Sequence, residues 1–424
     1  MSQEQFDELA QDLVAAYNRA DTGALQRIAN HYRLQAPQGG LWSATADQLR
    51  AGVRHRLRRT RLAKLSLADA RRVVANEEGF ETWKPLTRFL AELEHPNAPV
   101  ARFEAAVEAI ITGDATTLER LLRDHPELIR ARSSREHGAT LLHYVSANGV
   151  ESHRQKTPKN AVTIAKLLIA HGAEVDADLA SGKKDRKRAG STTLGLVATS
   201  IHPAVAGVQI ALLEALLEAG ANVDAPWDKS VVRAALANGR GEAARFLAGR
   251  GAHLDLESAA GVGQLKVVKR FVTSDGKLAH GATRQQLLSG FCWACEYGQT
   301  NVVEYLLRHA VAADARAGKN GPTGLHWAGY GGHLETVKLL LDHRAPVDAR
   351  EGNFDGTPLD WTVYGWAENP PEAERDRYPD VVGLLVAAGA RPDTTWMTDP
   401  NRELPIIDKI RSDARMRAAL QWPD

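Results

Sequence analysis

The chain has 424 residues, 44% of them apolar and 25% charged, with 53 basic side chains against 52 acidic ones and a net charge of +1. That balance excludes a chain-wide attraction to nucleic acid or anionic membrane. Two cysteines exclude a disulfide framework, and no apolar run reaches the length of a membrane span.

The N-terminus, MSQEQFDELAQDL, carries acids where an export signal needs a basic and then an apolar stretch, so a cytoplasmic protein is expected. FDELAQDLVAAYNR and TGALQRIANHY have the apolar spacing of two helices. The segment 50–64, RAGVRHRLRRTRLAK, is strongly basic; as one helix it places Arg54, Arg58 and Arg61 on a single face flanked by Arg56 and Arg59. No nucleic-acid reader motif surrounds it, and the expected fate of these arginines is solvation or intramolecular pairing. LSLADARRVVANEEGFETWKPLTRFLAELE predicts a helix, a break at Gly79 and a second helix, with Asp69 and Thr82 as caps and Phe80 and Trp83 anchoring a small core. Residues 1–95 therefore read as a helical N-terminal domain.

From residue 101 the pattern becomes periodic. The clearest stretch, Gly321 to Asp393, holds two near-copies of one unit, the second starting 34 residues after the first. Such a period means a solenoid of small helical units that bury one another's apolar faces. About eight units are legible in 101–393, among them GATLLHYVSANG (138–149) leading to HGAEVDA, STTLGLVATS leading to AGANVDA, and FCWACEYGQTNVVEYLLRHA in the sixth. Insertions interrupt them at 149–160, 178–190, 201–208, 273–283 and 365–379; Lys183–Arg188 in the second of these reads as a solvated loop. Residues 394–424 are expected to form a C-terminal helical cap, with Leu404, Ile406, Ile407 and Ile410 covering the last unit.

These units resemble the ankyrin-repeat family: Thr323, Leu325, His326 and Ala328 fit its TPLHxAA start, Gly332 and His333 its turn, Val337 to Leu341 its outer helix, and Ala345 and Asp348 its hairpin ending. The N-terminal GF-x-x-W-x-x-L segment resembles one that precedes some bacterial ankyrin arrays. The resemblance implies an all-α solenoid with short hairpin loops, inner helices lining a concave face, and partner binding. It also implies that His143 and His326 serve inter-repeat hydrogen bonds and that His333, after the turn glycine, holds a structural position.

Trp293, Trp327 and Trp361 fall at one register, 34 residues apart, directly after the motif position, as does Tyr144 in the second unit. Glu296, Tyr330 and Tyr364 lie three residues further on, on the same helical face. Trp366 follows within the last insertion. These aromatics, with hairpin arginines Arg316 and Arg350, form the candidate ligand-binding set, since clustered tryptophans concentrate in binding hot spots. A protein or peptide partner is the leading expectation. The rival is an enzyme or a binder of a sugar or aromatic small molecule, with Glu296, Asp355 and Asp360 as acid/base candidates. Asp360, replacing the motif histidine, also fits a turn-capping role. Cys292 and Cys295 read as buried free thiols rather than half of a zinc site. No metal or cofactor motif is present in the sequence.

Overall fold

The computed structural model describes residues 2–35, 45–179, 191–224, 230–279, 281–368, 375–392 and 405–422, which form two compact units, Met1–Val231 and Val232–Asp424. In the first unit the helices Gln3–Arg19, Thr22–Gln35, Ala46–Arg56, Leu67–Glu77 and Trp83–Leu93 gather their own apolar core around Phe6, Leu13, Tyr17, Val73, Phe80 and Phe89, with Trp83 packed at its edge.

The local chemistry differs from expectation in two places. Ser66 is the N-cap of Leu67–Glu77: its hydroxyl accepts from Asp69 N at 3.1 Å, and Asp69 takes the hydroxyl proton in return, so Asp69 supports the cap from inside the first turn. Thr82 stands at the next N-cap without a side-chain bond. The basic segment is not one helix. It stops at Arg56, Arg58 adopts a left-handed φ of 53°, and the single arginine face is broken. Arg50 pairs with Asp47, Arg56 with Glu77 and Arg59 with Asp69, so part of the run is neutralised from within.

Among the described residues, eight pairs of short helical segments follow. Repeat one is Pro99–Thr112 with Ala115–Asp124; repeat two is a 3-10 turn, Leu141–Ser146, with Ala161–Ala170; repeat three is Thr193–Thr199 with Gln209–Glu218. Repeat four, Val231–Ala237 with Gly241–Gly249, begins where the units divide. Repeats five to eight pair Leu256–Gly261 with Leu265–Phe271, Arg284–Glu296 with Thr300–His309, Gly324–Tyr330 with Leu334–Asp342, and Pro358–Glu368 with Tyr378–Ala387. Inner helices of repeats five to eight stack in sequence, as do their outer helices, over a continuous core that includes Phe291, Cys295, Leu325, Val337 and Leu385. That is the arrangement in which each unit's apolar stripe is buried by its neighbours. Both cysteines are buried free thiols.

The motif start has one recurring mechanism. In repeat seven His326 Nδ1 accepts from the Thr323 backbone N–H at 3.1 Å and lies 2.8 Å from its hydroxyl, while Nε2 reaches Gly356 O of the next hairpin at 3.1 Å. His143 makes the same local pair with Thr140 in repeat two. His333 carries the inter-repeat role at the turn, donating to Glu296 O at 2.7 Å.

Of the insertions, 149–160 folds as a short 3-10 turn, Ser152–Arg154, and 201–208 as a single helical turn, Ile201–Val205. The 273–283 segment closes a tight turn through a Val272–Leu278 bridge. Lys183–Arg188 and residues 369–374 lie outside the described residues, as does Leu404 of the cap. Ile407 and Ile410 of Pro405–Ser412 are buried, and Ala414–Ala419 packs on the last outer helix. Among the described residues no helix is long and apolar enough to cross a membrane.

Candidate functional site: an aromatic strip on repeats seven and eight

Equivalent residues of adjacent repeats are about 10 Å apart, so side chains in one register touch only if they lean toward each other. Trp327 and Trp361 do: their ring centroids are 5.0 Å apart at 79°. Tyr330 meets Trp327 at 6.3 Å and Trp361 at 6.1 Å, both edge to face, and stacks on Tyr364 at 6.4 Å and 21°. His326 adds an edge to Trp361 at 5.6 Å. These separations fall within the favourable range for aromatic pairs. Trp327, Tyr330 and Trp361 are half-buried, and Tyr364 is 52% exposed, so ring surface remains open to solvent.

Close packing behind the strip comes from glycine. A Cβ on Gly365 would press on the Tyr330 carbonyl oxygen, and one on Gly329 would meet the Thr362 hydroxyl and the Pro358 carbonyl. Only glycine lets the inner helices of repeats seven and eight approach this closely.

Trp293 does not join the strip. It is half-buried, its Cβ lies against Gly261 of repeat five, and no ring contact links it to Trp327 among the described residues. Trp366 is 3% exposed and belongs to the core of repeats five to eight, not to an accessible wall. Tyr144 belongs to the first unit and is fully buried, edge-on to Phe103 at 6.3 Å and His137 at 6.2 Å. Neither of the last two presents a ring to solvent: Trp366 packs in the apolar core of repeats five to eight, and Tyr144 is covered by Phe103, His137 and the charged groups of Glu151, Arg135 and Glu104.

The acids separate into different jobs. Glu296 is half-buried beside the strip; burial pushes its carboxyl up to about 7, with a hydrogen bond involving Tyr297 opposing the shift. Burial, then Glu296, Tyr364 and Glu368, raise the Tyr330 hydroxyl. Asp360 Oδ2 accepts from the Thr357 backbone N–H and hydroxyl, both at 2.8 Å, repeating with a carboxylate what His326 does with Nδ1. Asp355, 78% exposed at the hairpin tip with φ 55°, pairs with Arg350 at 2.9 Å. Asp355 and Asp360, the two carboxylates read from the sequence alongside Glu296, are thus both engaged in turns.

The hairpin arginines are also engaged. Arg316 Nη1 donates to Gly321 O and to Arg350 O of the next hairpin at 3.0 Å, and Arg350 Nη1 donates to Asp355 O at 2.7 Å. Arg132 does the same in the first unit, to Gly138 O at 2.9 Å and Asp178 O at 2.7 Å. The repeated pattern makes Arg316 and Arg350 hairpin ties rather than free ligand groups.

Two features escape a reading from spacing. Glu351 is buried and accepts from the backbone N–H of Asn353 and Phe354, both at 2.7 Å, anchoring the last hairpin. In the first unit, Arg135 (side chain 4% exposed) forms ion pairs with Glu104 at 2.8 Å and Glu151 (1% exposed) at 2.5 Å, while Arg154 pairs with Glu104 at 2.6 Å. The Arg135 guanidinium also lies 4.5 Å from the Phe89 ring centroid. Burial alone would raise Glu151, but His137, Arg135 and Arg154 more than offset it and hold that carboxylate ionised. Glu78 nearby is pushed up to about 7 by burial. The only sequence signal was an insertion unusually rich in ionisable groups.

Two surface cavities lie away from the strip. One, of about 730 Å³, sits between the outer helices of repeats five and six around Lys269 and Tyr305. The other, of about 660 Å³, lies between the outer helices of repeats seven and eight and the C-terminal helix.

Residues 256–351 and 291–395 match the family model described as ankyrin repeats (3 copies). No curated protein matches the chain. Among solved structures, the human ASB11 ankyrin repeat domain is similar at 20% identity, covering 59% of this chain and 98% of that one, with a TM-score of 0.28. The fold is an all-α ankyrin-repeat solenoid preceded by additional helices.

Proposed function

We propose that this protein is a binding module that recognises a protein or peptide partner through Trp327, Tyr330, Trp361 and Tyr364. Ankyrin-repeat domains generally mediate such interactions. The observation that carries the reading is the contiguous ring cluster on one inner-helix face, ending in the half-exposed Tyr364. Aromatic side chains left partly in water at the centre of a patch supply large contact area at low entropic cost, and such residues dominate binding energy. The open character of the strip suits a macromolecular segment better than a sequestered small molecule. The engagement of Asp355 and Asp360 in turns removes support for carboxylate-pair catalysis.

A photo-crosslinking residue at Tyr364 tests this. A discrete protein adduct formed in cells, and lost when Trp361→Ala is added, is the expected result. If native mass spectrometry instead finds a small molecule that leaves on Trp327→Ala, and no protein adduct forms, the small-molecule reading replaces this one.

A further inference from the structure

Beside the strip stands a carboxylate with no cation. Glu296 ends the inner helix of repeat six, half-buried, and forms no ion pair with any described lysine or arginine. Arg240 is felt electrostatically by Tyr297 and Tyr330, but its Nε donates to Asn238 O at 2.9 Å. Glu368, exposed at the end of the repeat-eight inner helix, is the second carboxylate felt by Tyr330. Two stacked tyrosines thus lie beside Glu296 and Glu368, which form no ion pair with any described residue, while Arg240 partly offsets them at Tyr330.

We infer that the strip selects a partner segment carrying an arginine or lysine, whose stem lies across Tyr330 and Tyr364 and whose cation meets the Glu296 carboxylate. This rests on the strip being the partner site. A ring face attracts a cation through its quadrupole. A long basic side chain also covers apolar surface with its methylenes while its head stays polar. A partly desolvated carboxylate without a cationic partner gains more from a charge-assisted hydrogen bond than an exposed one. An acidic segment would instead meet Glu296 and Glu368 together, and like charges disfavour it.

The same geometry gives a pH signature. Glu296 is faced by Tyr297 and Cys292 on its own helix and by Tyr330 from repeat seven, while the His333 ring holds its backbone carbonyl. With its carboxyl near 7 in the free protein, cation binding releases a proton, so affinity rises as pH increases through that value.

The test is selection of a randomised peptide library against the full chain, with counter-selection against Tyr364→Ala and Trp361→Ala. Tyr364→Ala removes an exposed ring and leaves the core intact; circular dichroism checks the fold of both variants. The expected result is strip-dependent peptides that share a basic residue, bind about tenfold or more weaker to Glu296→Gln, and lose their pH dependence in that variant. Strip-dependent peptides without a basic residue, or unaffected by Glu296→Gln, overturn this inference and leave the strip as a partner site. If no selected peptide depends on the strip rings, the partner-site reading falls and this inference with it.

Discussion

Tyr144 and Trp361 hold the same place in their repeats, directly after the motif position, yet one is sealed and the other half-open. Around Tyr144 the 149–160 insertion supplies Glu151 and Arg154, which join Arg135 and Glu104 and close the layer over the ring. Around Trp361 the neighbours are Trp327 and Tyr330, and no charged strap lies over them among the described residues. Register establishes which residues are equivalent. What the loops fold over them decides whether that equivalence becomes a surface or a core.

The sharpest way to break the contrast is to empty the charged layer. Arg135→Met leaves Glu104 and Glu151 buried with Arg154 as their remaining guanidinium partner, at 2.6 and 4.0 Å. Removing one member of a buried ion pair typically costs about 3–5 kcal/mol, so the first unit should unfold at markedly lower denaturant in chemical denaturation. An Arg135→Met variant as stable as the parent would show that the layer contributes no net stabilisation.

Acid should act on both units through their histidines. Burial lowers His143 in the first unit and His326 and His333 in the second to about 4. A folded-state value below the unfolded one of about 6.5 means the contribution is complete above about 6.5 and is lost as pH falls toward 4. His333→Gln retains a donor for the Glu296 carbonyl and removes one titration, so stability measured across that window should fall less steeply. Glu78 runs the other way: with its carboxyl at about 7, its contribution is complete below the unfolded value and lost as pH rises through 7.

On the strip side, Gly365→Ala drives a methyl group against the Tyr330 carbonyl. Overpacking of this kind costs about 1–3 kcal/mol. It should also separate the two inner helices, read as a change in the part of the tryptophan fluorescence that a Trp327→Phe background removes.

The repeat array, its helix pairs and the capping role open to Asp360 were legible because each depends on local pattern: apolar spacing, a turn glycine, a side chain three residues from an N-cap threonine. The strip was half legible. Trp327, Trp361, Tyr330 and Tyr364 share a face by helical geometry, but the departure of Trp293 depends on which neighbour its side chain packs against, which spacing does not encode. Trp366 and Tyr144 failed for a related reason, since burial is set by what covers a residue from elsewhere in the chain. The pairing of Arg135 with Glu104 and Glu151 joins residues 31 and 16 positions apart through an irregular loop, and no periodicity marks it. Arg58 shows the converse error: a helical face drawn across a segment whose helix had already ended.

The smallest expected effect concerns how the outer helices stop. Gly172, Gly220, Gly251 and Gly389 follow outer helices with φ of 90°, 88°, 92° and 103°, where the left-handed turn favours glycine. In repeat seven, which carries half of the strip, Arg344 takes that place with φ 61°. A non-glycine residue there costs about 1–2 kcal/mol, and glycine's greater freedom in the unfolded chain returns about 0.5–1 kcal/mol of that. Arg344→Gly should therefore stabilise the second unit by about 0.5–1 kcal/mol, read as a small rise in thermal midpoint with unchanged strip fluorescence. The reciprocal change, Gly389→Arg, should lower it by a similar amount. If both substitutions shift the midpoint in the same direction, the turn conformation is not what limits this repeat, and the side chain of Arg344 contributes something its exposed position does not reveal.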